Sequence, residues 1–165
     1  MNVRPIQPSD TALYESILER TTSEDRYCRF FHVVDHFSED EVHRFVDVGP
    51  DMIGFIAIGE NGSSLGAAHA SLLDAQTAEL AIVVARDARR RGVGKALFGR
   101  LILELQARGY RHLVAYALAE NHALTNLAKA VGMHSHGVEA SVRTWSLDDA
   151  VVPSDHVAQS GFGLG

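Results

Sequence analysis

The chain has 165 residues, long enough for one domain with a proper core, and its 46% hydrophobic and 22% charged composition is that of an ordinary globular protein. A net charge of -6 argues against a nucleic-acid partner, and the single Cys28 rules out an internal disulfide. No apolar run approaches the ~20 residues of a membrane span and the N-terminus carries no signal-peptide pattern, so the expectation is a cytoplasmic protein with no membrane and no nucleic-acid partner.

Asn2 to Ile6 reads as a first strand. Pro8-Ser9-Asp10 is a turn and cap signal, after which Leu13, Tyr14, Ile17 and Leu18 recur at helical spacing. A second helical piece carries Arg26, Tyr27, Phe30 and Phe31. A third starts near Ser38, with Ser38 and Glu41 in capping-box spacing ahead of Val42, Phe45 and Val46. Asp51 to Ile58 and Leu65 to Leu73 read as a hairpin turning at Glu60-Asn61-Gly62-Ser63. Thr77 to Ala85 is the next strand, and a helix follows to about Arg108, where Gly109 is a good terminator. His112 to Leu118 is a strand, Asn121 opens a short helix closed by Gly132, and Met133 to His136 with Ser141 to Leu147 form a final hairpin. The order β, three helices, β-β-β, α, β, α, β-β predicts an α+β protein, helices layered on a mostly antiparallel sheet. Residues 1–150 form this domain and 151–165, which lack periodicity, read as a flexible tail.

The most telling stretch is Arg89-Arg90-Arg91-Gly92-Val93-Gly94-Lys95-Ala96-Leu97, between an apolar strand and an amphipathic helix. The first N–H groups of a helix lack partners within it, and its dipole favours negative charge there. Gly92 and Gly94 keep side chains out of the way, and Arg89, Arg90, Arg91 and Lys95 add cations suited to a diphosphate. An ordinary turn is the plain alternative, but cations at the positive end of a helix call for an anion. A Walker loop is excluded because Arg89 replaces its first glycine and Ala96 its Ser/Thr. A dinucleotide fingerprint is disfavoured because Leu97 replaces its third glycine.

The remaining reading is a resemblance. Arg89, Gly92 and Gly94 match the Arg/Gln-x-x-Gly-x-Gly/Ala signature of the GNAT superfamily of acyl-CoA-dependent N-acetyltransferases. Asn121, Leu127, Ala128, Gly132 and Met133 stand at the places of the family's second motif, Asn-x5-Leu-Tyr-x3-Gly-Phe. The run Ser23-Glu24-Asp25-Arg26-Tyr27-Cys28-Arg29-Phe30-Phe31 and the pair Ala78-Glu79 resemble segments of the acetyltransferase domain of bacterial Pat-type protein lysine acetyltransferases. The resemblance implies the GNAT fold, a mixed and mostly antiparallel sheet flanked by helices. It also implies acetyl-CoA as cosubstrate and a primary-amine acceptor, first a protein lysine and second a small molecule. A catalytically silent acyl-CoA-binding module is the alternative of another class, and a homodimer is left open.

An acceptor ammonium, pKa ~10.4 for lysine, must lose a proton before it attacks a thioester, so a base is needed. Glu79 is the candidate: a lone carboxylate in an apolar strand, where partial burial raises a carboxyl pKa. Strand alternation groups Glu79 with Ala81 and Val83, and Leu80 with Ile82 and Val84. The resemblance assigns the pantetheine arm to the main chain of Ile82, Val83 and Val84 and to Asn121, which is also a good helix cap, and the diphosphate to Arg89 through Lys95. It also places Arg26, Tyr27 and Arg29 beside the acceptor. Ala128 replaces the family's acid tyrosine, leaving Tyr116, Cys28 or water to protonate the sulfur. His32 with His36 and His134 with His136 are spaced for metal but lack supporting ligands, so no metal is expected.

Overall fold

Local sequence signals become hydrogen bonds in the computed structural model, which describes residues 1–30 and 34–148. The expectations for Phe31, His32 and the tail lie outside the described residues. The helices are α1 (Thr11–Glu19), α2 (Ser23–Phe30), α3 (Glu39–Val46), α4 (Val93–Ala107) and α5 (His122–Ala130). The strands are β1 (Asn2–Pro5), β2 (Met52–Ile58), β3 (Ser64–Leu72), β4 (Thr77–Val84), β5 (His112–Leu118), β6 (His134–Glu139) and β7 (Val142–Asp148). Ser38 and Glu41 close the reciprocal box on α3, and Thr22 and Asp25 close a second one on α2. Two short 3-10 turns, Pro8–Asp10 and Arg86–Ala88, occupy segments that the sequence marked only as connections. β6 runs three residues beyond the expected His136, because a register shift between Ser135 and Val138 lets its ladder with β7 resume at Val138.

The sheet order is β1-β2-β3-β4-β5-β7-β6, antiparallel throughout except for the parallel pair β4–β5. α4 covers one face with Leu97, Leu101 and Leu105, all fully buried. α1 and α3 cover the other with Tyr14, Ile17 and Val46. The alternation expected in β4 holds. Ile82 and Val84 lie on the α4 side, where Ile82 approaches Gly94, and Gly66, opposite Val84, approaches Leu97. Ala81 lies on the other side, opposite His69, whose ring packs edge-on to Tyr14 at 5.6 Å.

His69 is buried, and its Nε2 donates to the Phe45 carbonyl at 2.8 Å, since a carbonyl can only accept. Burial, reinforced by the charge of Arg29, pulls its pKa down to about 4. The unfolded ring protonates near pH 6.5, so between pH 6.5 and 4 the unfolded chain takes up a proton that the folded chain refuses. Folding stability is therefore expected to fall by about 3 kcal/mol across that window. Asp10 acts further down. The Arg4 guanidinium, on both of its oxygens at 2.7 Å, holds this buried carboxyl below its ordinary range, so its contribution is complete above that range and lost as pH drops through the lowered value. Urea titrations at pH 7, 5.5 and 4 check the first step: His69→Gln should flatten the decline, and an equally steep decline in the variant would assign it to other groups.

Candidate active site

The parallel pair β4–β5 is short. It runs from Thr77 opposite His112 to Leu80 opposite Ala115 and then stops. Beyond that point β4 stays paired to β3 as far as Val84, and β5 stays paired to β7 as far as Leu118. The sheet therefore opens as a fork, with Ala81–Val84 on one arm and Tyr116–Leu118 on the other. A cleft of about 730 Å3 occupies it. Main-chain parity identifies the exposed groups. Ala85 donates to Leu65 of the hairpin side and Leu73 donates to Thr77, so odd-numbered residues of β4 bond β3. The Gln76 carbonyl accepts from Arg111 and His112, so even-numbered residues face β5. The N–H and C=O groups of Ile82 and Val84 thus point into the fork, while those of Val83 pair with Ala67. Val83 meets the cleft through its side chain only.

At the open end of the fork the chain turns into α4. Gly92 caps that helix in the left-handed region, φ 77 and ψ 4, where a Cβ would be strained. The first helical hydrogen bond is Ala96 N–H to the Gly92 carbonyl, which leaves the N–H groups of Val93, Gly94 and Lys95 ahead of it. Gly94 sits where α4 passes α5: a Cβ there would lie 3.3 Å from Leu127 and 3.7 Å from Ile82. Arg89, Arg90, Gly92, Val93, Gly94 and Lys95 all wall the cleft, and Arg91 does not. Arg89 is held by Asp25 of α2 at 2.8 Å, an ion pair that ties the turn to the helix across the cleft. Thr22 and Arg89 hold the Asp25 carboxyl below its ordinary range against the opposing effect of its burial.

Glu79 lines the inner end of the cleft, half-buried, opposite Ser71 on one side and Val114 on the other. Tyr116 stands on the β5 arm one residue past the last pair and is 39% exposed. Cys28 is also on the wall, and burial with the charges of Glu24, Asp25 and Glu120 pushes its thiol pKa up, so it stays protonated. Asn121 lines the cleft while its Oδ1 accepts from Leu124 N–H at 3.0 Å, so the expected cap is present. Ala128 does not reach the cleft. It is fully buried.

Of the three α2 residues expected beside the acceptor, only Arg29 reaches the cleft wall. Arg26 is turned away, donating to the Val34 and Thr21 carbonyls at 2.7 and 2.9 Å, and Tyr27 is exposed elsewhere. Arg29 stacks on Phe30 at 4.7 Å, and its Nε is buried with no hydrogen-bond partner. Burial pulls its pKa down, while Tyr14 and Glu79 act in the opposite sense. The Asp25–Arg89 pair on the cleft wall has no direct sequence signal, although Thr22-x-x-Asp25 is a legible capping pattern. No group of three or more His, Cys, Asp or Glu is placed to hold a metal among the described residues, and no described helix is long and apolar enough to cross a membrane.

The residues present fit a CoA thioester. An unpaired strand edge can bond an amide-bearing arm, and a capped helix start with four nearby cations can bond a diphosphate. Comparisons with known proteins bear on the fold and the family. The GNAT domain of Streptomyces lividans PAT superposes with a TM-score of 0.82 at 26% identity, covering 88% of this chain and 89% of that one. An N-acetyltransferase from Staphylococcus aureus Mu50 gives 0.69 at 25% identity, covering 89% and 97%. A phosphinothricin acetyltransferase from Sinorhizobium meliloti, solved in complex with AcCoA, shares the fold with a TM-score of 0.72 at 20% identity over 93% of each chain. The model of the acetyltransferase (GNAT) family matches residues 11–133, and the chain belongs to that family of acetyl-CoA-dependent N-acetyltransferases.

Proposed function

We propose that the chain transfers the acetyl group of acetyl-CoA directly to a primary amine in a ternary complex, with Glu79 as the base. The observation that carries this reading is the fork, which brings an open strand edge, a phosphate-type helix start and a lone carboxylate to one cleft. Val93, Gly94 and Lys95 N–H groups with Arg89, Arg90 and Lys95 side chains hold the diphosphate, and Arg91 adds charge from outside the wall. Ile82 and Val84 main-chain groups bond the pantetheine arm, Val83 packs against it, and the NH2 of Asn121, whose oxygen is engaged in the cap, reaches the same arm. One of the β4 amides also polarises the thioester oxygen. Glu79 then removes the ammonium proton, directly or through water, and the free amine attacks the acyl carbon.

Tyr116 protonates the departing sulfur. It opens the β5 arm of the fork, and it takes the place of the tyrosine missing at the buried Ala128. Tyr116→Phe is expected to lower kcat about 10-fold at unchanged acetyl-CoA affinity, less than the usual ~10²-fold for a general acid, because a thiol of pKa ~8.5 leaves without much help. Steady-state kinetics beside calorimetric binding check this, and an unchanged kcat assigns the proton to Cys28 or water.

A protein lysine remains the acceptor implied by the Pat-like segments, and a small amine is the other reading. Acetyl-CoA as cosubstrate and the single cysteine favour the cytoplasm as the compartment. The reading is tested by calorimetry with acetyl-CoA and by mass spectrometry of acetylated products across lysine peptides, proteins and small amines. Tight binding of acetyl-CoA without transfer to any amine would leave a silent acyl-CoA-binding module instead.

A further inference from the structure

Arg29 is a cation of the cleft wall that makes no direct ion pair among the described residues, although the Glu79 carboxylate lines the same cleft. Its Nε is buried and bonds nothing. Among the described residues its guanidinium enters no ion pair and no hydrogen bond, and its one close partner is the face of Phe30. A buried donor without a partner forgoes both water and any replacement for it, and the Nε is in that state although the residue as a whole is half-buried. The Tyr14 hydroxyl, also buried without a partner, lies within electrostatic reach of Arg29. Tyr14 does not wall the cleft and Arg29 does, so a bound molecule can meet Arg29 through its terminal nitrogens, which are not buried as the Nε is.

Its position says which molecule. The diphosphate end of the cleft is the α4 start, where Arg89 already bridges to Asp25 and the helix amides are free. Arg29 belongs to α2, on the sheet face that carries Glu79, and the two side chains feel each other's charge without an ion pair between them. An amine delivered to the Glu79 carboxylate therefore arrives in a cleft whose wall also carries the Arg29 guanidinium, which no carboxylate pairs directly.

We propose that Arg29 binds an anionic group of the acceptor, so that the amine acetylated here belongs to a small amino acid-type molecule bearing a carboxylate, or an equivalent oxyanion, near its amino group. The inference rests on the N-acetyltransferase reading above and narrows its acceptor. A guanidinium presents parallel N–H donors that match a carboxylate's two oxygens, so one molecule can offer its ammonium to Glu79 and its anion to Arg29. A lysine within a protein carries no such anion at a fixed distance from its ε-amine. In that case Arg29 would stay unpaired.

The test is a matched panel: the standard L-amino acids, their carboxamides, their decarboxylated amines, and a lysine peptide blocked at both ends, each with acetyl-CoA. Wild type is expected to acetylate at least one free amino acid with a kcat/KM on the order of 10²-fold or more above its carboxamide, since a site left with an unpaired polar group rejects the analogue strongly. The carboxamide's amine is the less basic of the two, so amine protonation works against this difference. Arg29→Gln should erase the acid-over-amide preference, Arg29→Lys should keep part of it, and both should bind acetyl-CoA as wild type does. The wild-type panel alone decides the matter if either variant fails to fold. Equal rates on acids and carboxamides, or a preference for the blocked lysine peptide, would overturn the proposal and leave the N-acetyltransferase reading standing. Acetyl-CoA binding without transfer to any amine would overturn both.

Discussion

Glu79→Gln is expected to slow acetyl transfer by about 10²–10⁴-fold while acetyl-CoA binds with unchanged affinity. Glutamine has nearly the same shape, so the packing between Ser71 and Val114 is kept and only the proton acceptor is lost. The binding prediction follows from the layers. Glu79 lies on the α2 side of β4, whereas the main-chain groups assigned to pantetheine lie along the strand edge at Ile82 and Val84. The two functions are separable by mutation. Raising the pH should recover part of the variant's rate, because solvent then supplies the free amine that Glu79 no longer generates. Calorimetry with acetyl-CoA and a pH series of kcat/KM for the acceptor check both halves. A variant turning over at the wild-type rate would remove Glu79 from the mechanism.

The second large effect is expected at Gly94. Gly94→Glu should weaken acetyl-CoA binding by at least about 10²-fold, roughly 3 kcal/mol. A Cβ at this position would stand 3.3 and 3.6 Å from the two methyls of Leu127 and 3.7 Å from Ile82, so any side chain leans on the contact between α4 and α5. The added carboxylate then occupies the positive end of α4, the site proposed for the diphosphate. A carboxylate in the first turn of a helix is itself stabilising by ~0.3–1 kcal/mol, so binding should be lost without loss of helix. Gly94→Gln separates bulk from charge: it should bind better than Gly94→Glu, with a difference that shrinks as salt is raised. Gly92 offers a complementary substitution. Its surroundings are open, but its φ of 77 strains any L side chain, so Gly92→Ala should perturb the turn through the backbone alone. Undiminished binding in Gly94→Glu would place the diphosphate elsewhere.

Much of this was legible in the residues because the signals are local. Periods of 3.6 and 2 separate α4 from the strands around it, and the Ser38/Glu41 spacing anticipates the α3 cap that forms. Glu79 lies within β4 and the glycine turn follows that strand, so a correct reading of β4 brings them to one region. The rest depends on contacts that sequence does not encode one residue at a time. Arg26 and Arg29 are three apart on α2, yet one ties down neighbouring carbonyls and the other enters the cleft. Ala128 reads as a lost acid, and only its burial reveals that the helix turns this position into the core. Main-chain parity is likewise invisible beforehand. It divides Ile82 and Val84 from Val83, three adjacent residues of similar chemistry. The fork itself is a decision of the sheet: β5 leaves β4 after Ala115 because it stays with β7.

That departure gives the ligand-free protein an unusual liability. Sheets normally hide their raw rims at the periphery, where short or charged strands discourage strangers. Here, among the described residues, a rim lies inside the sheet, in the apolar run Ala81-Ile82-Val83-Val84, where β5 pairs no further and only the Val84 carbonyl meets a side chain, that of Arg89. A thioester lying along it would act as a removable strand and stabilise the folded chain by RT ln(1 + [L]/Kd), about 2.7 kcal/mol at a hundredfold excess over Kd. Cellular supply of the acyl carrier would then govern how long this protein survives as well as how fast it works, with starved cells holding a softer, stickier population of the same molecule.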